Sequence, residues 1–123
     1  MTTRRTPSQT ALLILINAKL YENERGREIT RYKFSISTLR RIAGRVALRD
    51  SFLSKLDDEL AELGWLLIPL GTEYAVMDIS KTESWVKLSG KRLSDEEYLD
   101  LDDEELLKIY TDLFPPEDEA ADE

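Results

Sequence analysis

The sequence predicts a small α+β domain followed by an acidic helical segment. Three observations support this: apolar residues recur at helical spacing in three early segments, two strand-like runs flank a short turn, and the charge changes sign along the chain. A chain of 123 residues with 41% hydrophobic residues can close one core. We therefore expect one domain over residues 1–93 and an acidic segment over residues 94–123.

The first element is a helix over residues 7–23. Thr6, Pro7 and Gln9 supply a capping threonine, a proline at the first helical position and a glutamine three residues after the cap. Apolar side chains follow on nearly every side of this helix, and Gly26 lies in the polar loop after it. The pattern predicts a helix that is mostly buried.

A short strand and a second helix come next. Residues 29–36 alternate in character and are rich in β-formers, which predicts a strand. Ser37 is a suitable N-cap for a helix over residues 38–43, and Gly44 is a suitable end. The pattern directs Leu39, Ile42 and Ala43 to the core and Arg40 and Arg41 outward.

The third helix begins after a turn over residues 45–48. Asp50 or Ser51 can cap it, and Gly64 is its expected C-cap. Its apolar residues recur at intervals of three and four, namely Phe52, Leu53, Leu56, Leu60 and Leu63. This spacing predicts that one face of the helix packs in the core.

Two strand-like runs, residues 65–70 and 74–79, are joined by the short turn 71–73 and predict a β-hairpin. Pro69 has no N–H to donate to a neighbouring strand, so the first of these strands should have an edge or a bulge there. Trp65, at the junction between helix and strand, is expected to be a packing residue.

The C-terminal third differs in composition. Residues 81–93 are expected to form a further strand or short helix on the hairpin. Ser94 and Asp102 each start a capping-box pattern, and the second precedes a short helix that the prolines 115–116 end. Residues 117–123 are expected to be disordered. The apolar stripe of the short helix is a candidate partner-binding face, formed by Leu106, Leu107, Ile109, Tyr110, Leu113 and Phe114.

The order helix, strand, helix, turn, helix, hairpin resembles the winged helix-turn-helix family over about residues 7–79. Residues 37–44, residues 56–65 and the hairpin carry the resemblance. It implies binding of double-stranded DNA, with the third helix in the major groove. By position, the resemblance implies that the residues contacting bases are Ser51, Ser54 and Lys55. It implies that the residues contacting phosphates are Arg40, Arg41, Arg45 and Arg49. Regulators of this family often form homodimers that bind paired half-sites.

The charge is distributed unevenly along the chain. Residues 1–49 carry eleven cations against three carboxylates, whereas the remainder carries six cations against twenty-two carboxylates. Such asymmetry is typical of a polyanion-binding surface joined to an acidic segment. Arg4 and Arg5, ahead of the first cap, are expected to form a flexible basic arm.

Composition also narrows the functional classes. The chain has no cysteine and no histidine, so the commonest soft nucleophile and the commonest general base are missing, and we expect no enzyme, metal or cofactor. No apolar run approaches the roughly 20 residues of a membrane span, and a cytoplasmic location is expected.

Two functions remain open. The first is a DNA-binding protein, either a transcriptional regulator or a replication or partition accessory factor. The second is a protein-interaction module or an acidic DNA mimic that inhibits a nucleic-acid-binding partner. The first is weakened by carboxylates on the third helix and at the hairpin tip, namely Asp57, Asp58, Glu59, Glu62 and Glu73. A continuous carboxylate face spanning the third helix and residues 95–114 would favour the second.

Overall fold

A computed structural model describes residues 3–117, which form a mixed α+β fold with a three-stranded antiparallel sheet. The chain divides into two compact units, Met1–Trp85 and Val86–Glu123, whereas the sequence predicted a boundary after residue 93. The first unit contains α1 (Pro7–Arg25), β1 (Arg31–Ser35), α2 (Ile36–Ala43), α3 (Asp50–Glu62), β2 (Trp65–Pro69), β3 (Glu73–Asp78) and a 3-10 helix (Ile79–Ser84). The second contains α4 (Lys91–Asp95) and α5 (Asp103–Leu113).

The sheet has the strand order β1-β3-β2. The predicted hairpin is formed by β2 and β3, whose register pairs Trp65 with Asp78 and Pro69 with Tyr74. In this order β2 is an edge strand, so the expectation derived from Pro69 is confirmed. β1 pairs with the other side of β3, and its burial alternates along the strand, as the sequence pattern predicted.

The core of the first unit joins α1, α2, α3 and the inner face of the sheet. Its buried residues are Ala11, Ile14, Leu39, Ala43, Phe52, Leu56, Leu60 and Val76. Aromatic pairs extend it: the rings of Tyr32 and Trp65 stack at 6.1 Å and those of Phe34 and Tyr74 at 6.4 Å. The predicted packing role of Trp65 is confirmed.

The start of α1 matches the prediction, but its burial does not. Thr6 and Gln9 form a reciprocal capping box, with each side chain accepting from the other residue's N–H at 3.1 Å. The helix is not mostly buried: Leu12, Ile16 and Leu20 are about half exposed. A single helix packed on one layer can bury only one face, so the all-round apolar pattern leaves a second face uncovered.

The N-caps of α2 and α3 were predicted wrongly. Ser35, not Ser37, caps α2, because its hydroxyl accepts from the N–H of Thr38 at 3.0 Å and β1 leads directly into the helix. The cap of α3 is Arg49, with no side-chain hydrogen bond, and Asp50 is already helical. At the other end of α3 the cap is Leu63, and Gly64 follows it with a φ of 87°.

The second unit has no buried residue among residues 86–117. A further strand or a short helix was expected over residues 81–93; the 3-10 helix and α4 fall partly there, and no strand does. Ser94 does not start a helix, since α4 ends one residue later at Asp95. Asp102 does cap α5 through a reciprocal capping box with Glu105, as predicted. The disorder predicted for residues 117–123 falls, apart from Glu117, outside the described residues.

Among residues 3–117, no helix combines the length and apolar character that crossing a bilayer requires.

Candidate nucleic-acid interface

The helices α2 and α3 present most of the predicted DNA-binding residues on the surface of the first unit. Leu39 and Ala43 of α2 share one core with Phe52 and Leu56 of α3, and this packing turns the polar faces of both helices outward. The exposed members of the predicted set are Arg40, Arg41, Arg49, Ser51, Ser54 and Lys55. Within residues 3–117, none of these four cations forms a salt bridge.

Arg45 differs from the other predicted phosphate contacts because it is half-buried. Its guanidinium carbon lies 4.1 Å from the centroid of the Phe52 ring, and its Nη2 donates to the carbonyl of Arg5 at 2.7 Å. Its Nε is buried and has no hydrogen-bond partner among the described residues. Burial lowers the pKa of Arg45 below its usual range, and repulsion from Arg4 adds to the effect. Arg45 therefore has a structural role at this surface.

The N-terminal segment Thr3 to Arg5, which we call the N-terminal arm, is docked on the end of α2. The N–H of Arg5 donates to the carbonyl of Ala43 at 2.9 Å, and Arg45 holds the carbonyl of Arg5. Gly44, at φ 64°, lies so close to the backbone of Thr3 that a Cβ would collide with it. The prediction of a flexible arm is thus wrong for residues 3–5.

Docking of the arm concentrates positive charge at one point. Arg4 comes close enough to Arg45 to lower its pKa, and a Cβ added at Gly44, the neighbour of Arg45, would lie 3.0 Å from the Cα of Arg4. Two guanidinium groups that repel each other are both stabilised in their charged form when an anion binds nearby. The arrangement is therefore suited chemically to a phosphate, and the sequence offered no signal for it beyond the two arginine positions.

The outer face of α3 changes charge along its length. Ser51, Ser54, Lys55, Asp58 and Glu62 follow helical spacing, and all are exposed. Apart from the exposed Asp50, one turn before Ser54, the first turns of this face are neutral or cationic, and the last turns are acidic. A polyanion can therefore approach the N-terminal half of the helix but is repelled by its C-terminal half.

The acid at the hairpin tip has a cationic partner on the neighbouring strand. Glu73, the acid expected at this tip, lies with its carboxylate 3.4 Å from the Nζ of Lys33 on β1. The turn itself is closed by the N–H of Leu70, which donates to the carbonyl of Glu73 at 2.8 Å. Glu73 is thus part of an exposed ion pair rather than an isolated charge.

Within the described part of the chain, no cluster of three or more carboxylates is arranged to hold a metal ion. Comparisons of the chain with protein-family models, with curated proteins and with solved structures find no match.

Proposed function

We propose that this chain is a winged helix-turn-helix protein that binds double-stranded DNA through α2, α3 and the N-terminal arm. The observation that carries the proposal is the group of exposed cations without ion-pair partners in the described residues, namely Arg40, Arg41, Arg49 and Lys55. The element order and the strand order β1-β3-β2 support the winged-helix assignment. The biological role that follows is transcriptional regulation or an accessory role in replication or partition.

In this proposal the arginines bind phosphates and the first turns of α3 contact bases. Phosphate contacts position a protein on the duplex, whereas base contacts specify the sequence. Ser51, Ser54 and Lys55 are the base-reading candidates, because they are exposed on the first turns of α3. The acidic end of the same face requires α3 to enter the groove by its N-terminus, tilted so that Asp58 and Glu62 point away from the duplex.

The salt dependence of DNA affinity tests the proposal. Each phosphate that a cation neutralises contributes about −0.9 to the slope of log affinity against log salt, so four cations give about −3.6. Replacing Arg40 and Arg49 by alanine should make the slope less steep by about 1.8. Fluorescence anisotropy with a random duplex at several salt concentrations measures this difference.

The matched control replaces Lys87 and Lys108 by alanine. Both pairs of substitutions lower the net charge by two, but the control cations belong to the second unit. A specific interface predicts that only the α2–α3 variant changes the slope. Equal changes in both variants, or no binding of the wild type at low salt, would refute the proposal.

The second candidate function is a protein-interaction module that mimics DNA. The observation in its favour is the acidic C-terminal half of α3, where Asp57, Asp58 and Glu62 are exposed. A mimic should bind no DNA even at low salt. It should instead bind a basic nucleic-acid-binding protein, with an affinity that Asp58→Asn and Glu62→Gln reduce.

A further inference from the structure

Two apolar helix faces of this chain are exposed to solvent. On α1, Ile16 is 53% exposed and Leu20 is 56% exposed. On α5, Tyr110 is 59% exposed and Leu113 is 68% exposed. Large apolar side chains grouped on one helix face are costly to leave in water, so contiguous faces of this kind commonly mark interaction sites.

The face on α1 borders a groove between α1 and α2. The groove has a volume of about 540 Å³, and Leu13, Ile16, Leu20 and Ile42 form its apolar part. The side chains of Arg5 and Arg41 lie beside these residues. The groove therefore combines an apolar floor with positive charge, which suits an amphipathic helix with acidic residues.

Helix α5 has the complementary character. Leu106, Tyr110 and Leu113 follow the i, i+4, i+7 spacing by which a helix lies in a groove. Asp103, Glu104 and Glu105 form its first turn, directly ahead of this apolar face.

We infer that α5 of one copy of this chain docks in the α1–α2 groove of a second copy, and that the exchange is reciprocal. The lengths agree: Leu13 to Leu20 and Leu106 to Leu113 each cover eight residues, or seven steps of 1.5 Å helical rise, about 10 Å. With α5 parallel to α1, its acidic first turn lies at the end of the groove that Arg5 marks. A reciprocal exchange forms this contact twice in a closed two-fold dimer.

A second copy is the occupant because the groove and the helix match each other in both charge and length, and every copy carries both. The inference does not depend on DNA binding, since its contacts and its test involve only the protein.

Charge-swap variants test the inference by sedimentation equilibrium. Arg41→Glu removes the attraction in the groove, and Asp103→Arg, one turn before Leu106 on the same face of α5, removes it there without affecting the capping box, which Asp102 and Glu105 form. Each variant alone should dimerise about tenfold more weakly or worse, because one reversed pair occurs twice in the dimer. An equimolar mixture of the two variants should regain wild-type affinity, since each groove then meets an α5 of compatible charge in the mixed dimer.

The mixture also distinguishes a second copy from docking within one chain. Docking within a chain predicts no dimer at all, so neither the single variants nor their mixture should differ from the wild type in sedimentation. That result would overturn the inference, as would a wild type that stays monomeric at millimolar concentration or single variants that dimerise normally.

A second pair of variants checks the apolar part of the contact. Tyr110→Ala with Leu113→Ala should weaken the dimer by more than the charge reversals do, because these side chains would be buried in the groove. The control, Val86→Ala with Leu88→Ala, removes similarly exposed apolar groups outside α5 and should leave dimerisation unchanged. Equal effects of both pairs would contradict docking through α5.

Discussion

Arg45 shows how the identity of one residue determines whether a cation binds a ligand or stabilises the fold. Its sequence position, between two helices and near other arginines, is equally compatible with both roles. Its planar group stacks on Phe52 and donates to the carbonyl of Arg5, so the flat shape of the guanidinium matters as much as its charge.

We predict that Arg45→Lys destabilises the protein by about 1 kcal/mol although the charge is kept. A lysine loses the ring stacking and the forked donor geometry, and the relief of the unsatisfied Nε offsets only part of that loss. Urea denaturation measures the change. Arg49→Lys is the control, because Arg49 is exposed and its side chain caps nothing. If both variants lose the same stability, the contacts of Arg45 are unimportant.

Glu22 forms the other local network that the sequence did not reveal. Its carboxylate lies 2.5 Å from the Nζ of Lys19 and accepts from the N–H of Ile29 at 3.0 Å. The hydrogen bond from Lys19, helped by that from Ile29, lowers the pKa of Glu22. The same pair raises the pKa of Lys19. The network joins α1 to the residues that precede β1.

We predict that Glu22→Gln lowers the melting temperature at pH 7 and that this deficit disappears in acid. A depressed carboxyl pKa stabilises the fold above the unfolded value of about 4.5, and this contribution is lost as pH falls through the folded pKa. Lys19 sets an upper pH limit to the stability that this ion pair contributes. Its contribution is lost as pH rises above 10.5 through its raised folded pKa. Thermal melts across this range should show no such profile for Glu24→Gln, whose carboxylate has no hydrogen bond among the described contacts. A deficit that does not vary with pH would exclude the ionic explanation.

At the scale of secondary-structure elements, the sequence predicted the order of helices and strands in the first unit and the helix α5. Strong local signals made this possible, such as the Thr6 capping box and the short turn of the hairpin. The cap of α2 was missed because Ser35 and Ser37 are equally good caps by type, and the end of β1 decides between them. The docked arm was also missed, because its contacts join residues about forty positions apart and leave no periodic signal.

We predict that Gly44→Ala costs about 1 kcal/mol more than Gly26→Ala and releases the N-terminal arm. Both glycines have positive φ, 64° and 67°, so an alanine is strained similarly at each. Only at Gly44 does the added Cβ meet another segment, the backbone of Thr3. Chemical denaturation gives the energies, and amide exchange of Arg5 reports release of the arm. Equal costs, with Arg5 still protected, would mean that the arm does not depend on this contact.

At the scale of the whole molecule, the candidate interface could be predicted only in part. The exposed cations of α2 and α3 follow from helical periodicity, since the apolar residues of these helices define which side faces solvent. The roles of Arg4, Arg5 and Arg45 could not be predicted, because they depend on where the arm lies after folding. The exposed face of α1 was also missed, since an apolar sequence does not tell how many neighbours a helix has.

The opposite charges of the two ends of the chain lead to the last prediction. Residues 95–123 carry fourteen acids and one lysine, tethered to a segment with eleven cations. These acids compete with phosphate for the arginines, and salt weakens the competition beyond roughly 8–10 Å. Removing residues 94–123 should therefore strengthen DNA binding at low salt, with the gain shrinking as salt rises.

The melting temperature of the shortened protein separates this effect from a structural one. Every buried residue of the described chain lies between Thr10 and Val76, so at concentrations where the wild type is monomeric the shortened protein should melt at the wild-type temperature. A lower melting temperature would instead mean that the C-terminal segment stabilises the core. If neither DNA affinity nor melting temperature changes, the acids do not compete for the arginines.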